Sequence, residues 1–303
     1  MANRNHLIVP FASSLDASCQ AAIKTLAVPN LTRLLKCAKL VHEDHGDEFD
    51  FSLPHERVWR QANTHEDSQP PVTLTLCHWT VGIDRISMNN PEDLVLSEEE
   101  SRTLFEVVSP YFLEDGIALS YVSALHWQAT GDTLNSLDLA SLDRVIGRNV
   151  DVWQPLTHHV QTTHNKAIRR LQNEVQMLLY THPINTTREA RGLPTVNSFW
   201  LSRPMDFAKS ILGTRFDDSL RRSALAGDWK SWSNAWQATD DKAFQALWLE
   251  SQSPQGLADD TRFTLCGERH AKTYAITPPR SLWAKAQRLV ARQPNSHEVL
   301  ASL

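Results

Sequence analysis

The chain has 303 residues, long enough to bury a substantial core as one large α/β domain or as one domain with an appendage. Hydrophobic residues make up 41% and charged residues 21%, the balance of an ordinary globular protein rather than a disordered or membrane chain. With 30 basic against 35 acidic residues the net charge is −5, which argues against non-specific grip on nucleic-acid phosphates, because that needs a basic face.

No apolar run approaches the roughly 20 residues of a membrane helix. The start MANRNHLIVPFASS turns polar too soon for a secretory signal. Cys19, Cys37, Cys77 and Cys266 lie far apart with no CxxC pair, so the sequence points to reduced thiols in a cytoplasmic protein and to no bound metal or other cofactor.

In chain order, His6 to Ala12 reads as a strand and Asp16 to Leu26 as the helix after it, a first βα unit. His42-Glu43-Asp44-His45-Gly46-Asp47-Glu48 is the densest group of metal-ligand residue types. It reads either as a metal site or, preferred here, as a solvated acidic loop. Pro54-His55-Glu56-Arg57 opens a helix with a surface ion pair, and Pro70-Pro71 marks a break. Val72 to Met88 is strand-like; within it Cys77 and His78 point to opposite faces, so they make no reactive pair, and His78 is a structural group or a pocket wall. Ser97 and Glu100 form a capping box for a helix carrying Leu104, Phe105 and Val108 and ending at Pro110. Ile117 to Val122 and Leu125 to Ala129 follow as strands, with a turn at Gly131-Asp132, so residues from about 72 to 135 form an α+β insertion.

In SLDRVIGRNVDVW, residues 141 to 153, Arg144 and Arg148 stand one helical turn apart. They either grip a phosphate or carboxylate or pair with Asp143 and Asp151. His158, His159 and His164 fall in a polar linker. From about Asn165 the residues Ile168, Leu171, Val175, Leu178 and Leu179 mark an amphipathic helix, which His182-Pro183 stops. A polar segment with Asn185, Arg188, Arg191, Gly192 and Pro194 leads to Asn197 and a buried strand, Val196 to Leu201. Beyond Ser202, Trp229, Trp232 and Trp236 and then Phe244, Leu247 and Trp248 predict short amphipathic helices, whose tryptophans serve a core or a protein-binding face. Arg262 to Cys266 and Lys272 to Ile276 read as strands, and about Ser281 to Arg292 as a last helix.

The order HPIN, Arg188, RGLP, Asn197 resembles a segment near the end of archaeal-type, cofactor-independent phosphoglycerate mutases of the alkaline phosphatase superfamily. VPNLTRLL, residues 28 to 35, resembles a second element of those enzymes. HLIVPFAS, LAVPNLTRLL, SLPHERV, CHWTVGID, YFLEDGIAL, SLDRVIGRNVDVW and LTLCGER resemble the proteobacterial regulatory protein RpfE family over nearly the whole chain. The resemblance implies a degenerate alkaline-phosphatase-like α/β sheet flanked by helices. Residues 1–205 would be the core, and residues 206–303 a tryptophan-rich helical and small β part packed on it. The mutases' metal-binding Asp-Gly after the first strand is absent: Pro10-Phe11-Ala12 stands there, and an apolar pair offers no oxygen ligands.

The expected function is therefore a non-catalytic regulatory or scaffold protein. It would bind a small anionic ligand near Asn185, Arg188, Arg191 and Asn197, with Arg144 and Arg148 as a second pair, or a protein partner on the tryptophan helices. The alternative implied by the mutase resemblance is a metal-dependent phosphotransferase or phosphatase.

Overall fold

In the computed structural model the described residues are 5–62, 71–154, 163–203, 213–252, 261–276 and 295–303. Eleven strands run among them: β1 (His6–Val9), β2 (Ala38–His45), β3 (Val72–Cys77), β4 (Trp79–Val81), β5 (Ile86–Met88), β6 (Ala118–Tyr121), β7 (His126–Thr130), β8 (Ser198–Ser202), β9 (Thr214–Phe216), β10 (Arg262–Cys266) and β11 (His270–Ile276). The protein is a mixed α/β structure in two compact units, one of Met1–Glu48, Leu53–His65 and Asp206–Leu303, the other of Phe49–Ser52 and Glu66–Met205. Among the described residues beyond 205, β9, β10 and β11 join β1 and β2 in one sheet.

The first unit holds a five-stranded sheet ordered β2-β11-β10-β1-β9, with β1 parallel to both β9 and β10 and the pairs β10–β11 and β11–β2 antiparallel. Leu7, Ile8 and Val9 are all buried, as a central strand covered on both faces requires. Helices Ala17–Ile23, Pro29–Cys37 and Trp229–Thr239 supply Cys19, Ile23, Leu31, Leu34, Trp232 and Trp236 to a core shared with Phe263, Leu265 and Tyr274. The tryptophan stripe of the sequence is thus the centre of this unit's core; Trp232 and Trp236 are fully buried.

The second unit is organised on an antiparallel sheet ordered β6-β7-β3-β8, beside a two-stranded β4–β5 hairpin. Helices Glu98–Glu114 and Thr163–Tyr180 cover it, burying Leu104, Val108 and Phe112 from one and Leu171, Val175 and Leu179 from the other.

Several expectations need correction. Residues 42–45 are not a loop but the end of edge strand β2, where pairing with β11 satisfies the backbone and leaves alternate charged side chains in water. His55 and Glu56 are buried rather than on the surface, and Glu56 accepts from the Leu53 N–H at 3.0 Å. Pro110 lies inside its helix, which continues to Glu114 because Phe112 is driven into the core. The polar segment after His182 is a helix, Pro183–Ala190: proline suits a first helical turn, and the His182 ring accepts from the Ile184 N–H at 3.3 Å. Gly131-Asp132 opens a short helix, Asp132–Asn135. His158, His159 and the expected helix at 281–292 lie outside the described residues; His164 falls in helix Thr163–Tyr180.

Candidate functional site

The phosphoglycerate-mutase-like segment folds into a polar clasp in the second unit. Helix Pro183–Ala190 stops at Arg191 through Gly192, whose φ of 69° is the left-handed conformation that glycine adopts without penalty. The N–H of Gly192 reaches the Glu189 carbonyl at 2.9 Å and that of Leu193 the Arg188 carbonyl at 2.9 Å, a Schellman stop before Pro194. Part of the RGLP pattern is therefore a helix terminator.

The side chains then tie neighbouring segments together. Asn185, buried, donates through Nδ2 to the carbonyls of Leu179 and Val196, each at 2.8 Å, and accepts the Val196 N–H at 2.8 Å. Arg188 is fully buried: Nε donates to the Pro194 carbonyl at 2.8 Å, Nη1 to Glu100 Oε2 at 2.9 Å, and Nη2 to the Leu94 carbonyl. Arg191 reaches the same carboxylate, its Nη1 3.8 Å from Oε1, with its side chain 61% exposed. Asn197 spans the break between β3 and β4, accepting the Trp79 N–H at 2.7 Å and donating to the Trp79 carbonyl at 2.9 Å. Beside it His78 Nδ1 donates to the Thr195 carbonyl at 2.8 Å, which makes His78 a structural group.

Asn185, Arg188 and Arg191 thus converge with Glu100, and Asn197 works one segment away. Arg144 and Arg148 bond to other residues. Arg144 is buried, donates to the Asp50 carbonyl at 2.9 Å and lies over the Trp153 ring at 5.2 Å, while Arg148 donates to the Arg144 carbonyl at 2.9 Å. Five of the six predicted ligand-holding residues therefore donate to main-chain groups of their own chain; Arg191 alone among them presents a largely exposed guanidinium.

Glu100 is the residue that sequence reasoning undervalued. The capping box is present, with the Glu100 N–H on Ser97 Oγ at 3.2 Å and the Ser97 N–H on Glu100 Oε2 at 3.0 Å. That same carboxylate also holds Arg188, 88 residues away in sequence. Partial burial works to raise its carboxyl, but the Ser97 hydrogen bonds and the Arg188 charge outweigh burial and hold it below the usual carboxylate range. The turn that presents Leu94 to Arg188 has Val95 at a φ of 48°, an uncommon conformation for a β-branched residue.

In the first unit the carboxyl ends of parallel strands β1, β9 and β10 form the edge where α/β sheets usually receive ligands. Phe11 stands there at a φ of 55°. Trp232 Nε1 donates to its carbonyl at 2.9 Å, Trp236 Nε1 to the Ala12 carbonyl at 3.2 Å, and the Ala12 N–H to the Cys266 carbonyl at 2.8 Å. The buried His55 ring lies 5.3 Å from Phe11 and 5.7 Å from Phe216, and Glu268 accepts from Ser14 Oγ and the Leu15 N–H, both at 3.0 Å.

No group of three or more His, Cys, Asp or Glu side chains among the described residues is arranged to hold a metal ion. The four thiols are free; burial pushes Cys19 up to about 11 and Cys77 and Cys266 further up, so these three are not poised as thiolates.

No family model matches the chain, and the regulatory protein RpfE resemblance finds no support there. No curated protein matches it. Among solved structures it is similar to the PH0037 protein from Pyrococcus horikoshii, with a TM-score of 0.38, 9% identity, and 91% of this chain and 88% of that one covered. It is also similar to a cofactor-independent phosphoglycerate mutase from Thermoplasma acidophilum, with a TM-score of 0.34, 11% identity, and 100% and 99% covered. No helix among the described residues is long and apolar enough to cross a membrane.

Proposed function

We propose that this chain is a non-catalytic regulatory or scaffold protein, in which the segment resembling phosphoglycerate mutases serves as a structural clasp. The observation that carries this reading is Arg188. A guanidinium that holds a phosphoester must leave part of its donor fork free to face it. Here Nε, Nη1 and Nη2 each donate within the chain, and the side chain is fully enclosed. Asn185 and Asn197 support the same reading, since each exchanges hydrogen bonds in both directions with main-chain groups.

The strand ends of the first unit support it as well. A phosphotransferase of the two-metal kind needs oxygen and nitrogen ligands gathered at such an edge. Phe11 occupies the position after β1, and two indoles fix the carbonyls of its turn. A regulatory role then rests on a protein partner or on an anion drawn to Arg191, the exposed member of the group.

The test is turnover of 2-phosphoglycerate, 3-phosphoglycerate and p-nitrophenyl phosphate by the full chain with manganese, zinc or magnesium added. The proposal expects rates at the protein-free blank in every combination. Turnover above the blank that tracks protein concentration and is lost in Arg188→Lys would overturn it and favour the phosphotransferase alternative.

A further inference from the structure

The exposed face of the β2–β11 ribbon carries a pair of imidazoles. His45 and His270 are direct cross-strand partners, and Glu43 and Lys272 are the next pair on the same face. His42 and Asp44 fall on the opposite face, where Asp44 is bound by Arg57 Nε at 2.9 Å and Nη2 at 2.6 Å. The stretch rich in metal-ligand types is therefore sorted by the strand: one histidine is turned away and the other is set against a partner from β11.

The two rings stand 5.2 Å apart between centroids with an interplanar angle of 68°. A divalent late transition ion binds imidazole nitrogen at about 2.0–2.1 Å, which puts it about 3.1 Å from each ring centre. Two rings at a tetrahedral angle are then about 5.1 Å apart. Ordinary edge-to-face aromatic pairs span roughly 4.5–7 Å, so the distance alone does not decide. A second observation does. Nδ1 of His270 is buried and has no hydrogen-bond partner among the described residues. Most buried polar atoms in proteins are paired, and an imidazole nitrogen without a partner has a lone pair to offer an ion.

We propose that His45 and His270 form a two-imidazole site for a divalent late transition metal such as zinc or copper, with His270 ligating through Nδ1 and water completing the shell. Imidazole suits these ions and not magnesium or calcium, which prefer oxygen. Glu43 Oε2, 3.8 Å from His45 Nε2, lowers the cost of a dication there; its other oxygen is 3.4 Å from Lys272 Nζ. The side chain of His45 is 65% exposed, which gives the ion a way in.

The experiment is calorimetric titration of the full chain with zinc at neutral pH, with the spectrum of one copper(II) equivalent as a second readout. The expected result is nitrogen hyperfine structure and binding weakened in His45→Ala and His270→Ala by more than the roughly 10–100-fold that loss of an outer-shell partner costs. His42→Ala, on the other face, should bind as the parent does. Because His45 is exposed, its variant tests the site even where His270→Ala fails to fold. Unchanged affinity in His45→Ala, or equal loss in His42→Ala, would overturn the site.

Discussion

The two units meet the same demand, fixing main-chain carbonyls in a loop beside a sheet, with opposite chemistry. In the second unit a guanidinium gathers the carbonyls of Leu94 and Pro194 and is balanced by Glu100. In the first, two neutral indoles take the carbonyls of Phe11 and Ala12 while their rings fill the core. A buried charge fails badly when its partner is lost, because an uncompensated charge remains, whereas an indole that loses its hydrogen bond keeps its apolar burial. Residue type alone does not separate such roles: Arg188 is enclosed with its donors on groups of its own chain, and Trp232 and Trp236 combine one hydrogen bond each with full burial.

Breaking the charged clasp should cost most. Arg188→Ala leaves Glu100 and two carbonyls without their donor, and about 3–5 kcal/mol of stability should be lost in urea unfolding. Next comes a buried carboxylate of the first unit. Asp240 accepts the N–H groups of Asn30 at 2.9 Å and Leu31 at 2.7 Å, capping helix Pro29–Cys37, so Asp240→Ala should cost about 2–3 kcal/mol by the same measurement. Trp236→Phe keeps most of the buried ring and removes only the donor to Ala12. A loss of about 1–2 kcal/mol would sharpen the contrast with Arg188, and a loss as large as that of Arg188→Ala would erase it. Ser97→Ala removes one cap and should cost about 1 kcal/mol.

The pH dependence separates the units further. Glu100 is depressed in the fold, so its contribution is present above the unfolded glutamate value of about 4.3 and is lost as pH falls through the lower folded value. Glu100→Gln should flatten that part of the stability profile measured by unfolding between about pH 3 and 6. An unchanged slope would remove the clasp's electrostatic character.

What was legible in the sequence was local. The Ser97–Glu100 box and the strands near Val72, Phe199 and Arg262 follow from signals within a few residues, and the structure has them. What was not legible depends on distant partners. Asp240 caps a helix 210 residues away, and nothing beside it in sequence announces that. Residues 42–45 read as a loop because consecutive charges usually are solvated, yet β11 supplies a ladder that makes them a strand. Pro110 reads as a stop because proline forfeits one helical hydrogen bond, and burial of Phe112 outweighs that single loss.

The central claim is that Arg188 holds the fold and not a ligand, and thermal unfolding of the parent chain and of Arg188→Lys, each with and without millimolar phosphate or phosphoglycerate, tests it most directly. The account predicts a lower midpoint for the variant and the same ligand response in both proteins. A midpoint that rises with ligand in the parent, as mass action on a native-state site demands, and fails to rise in the variant would contradict it.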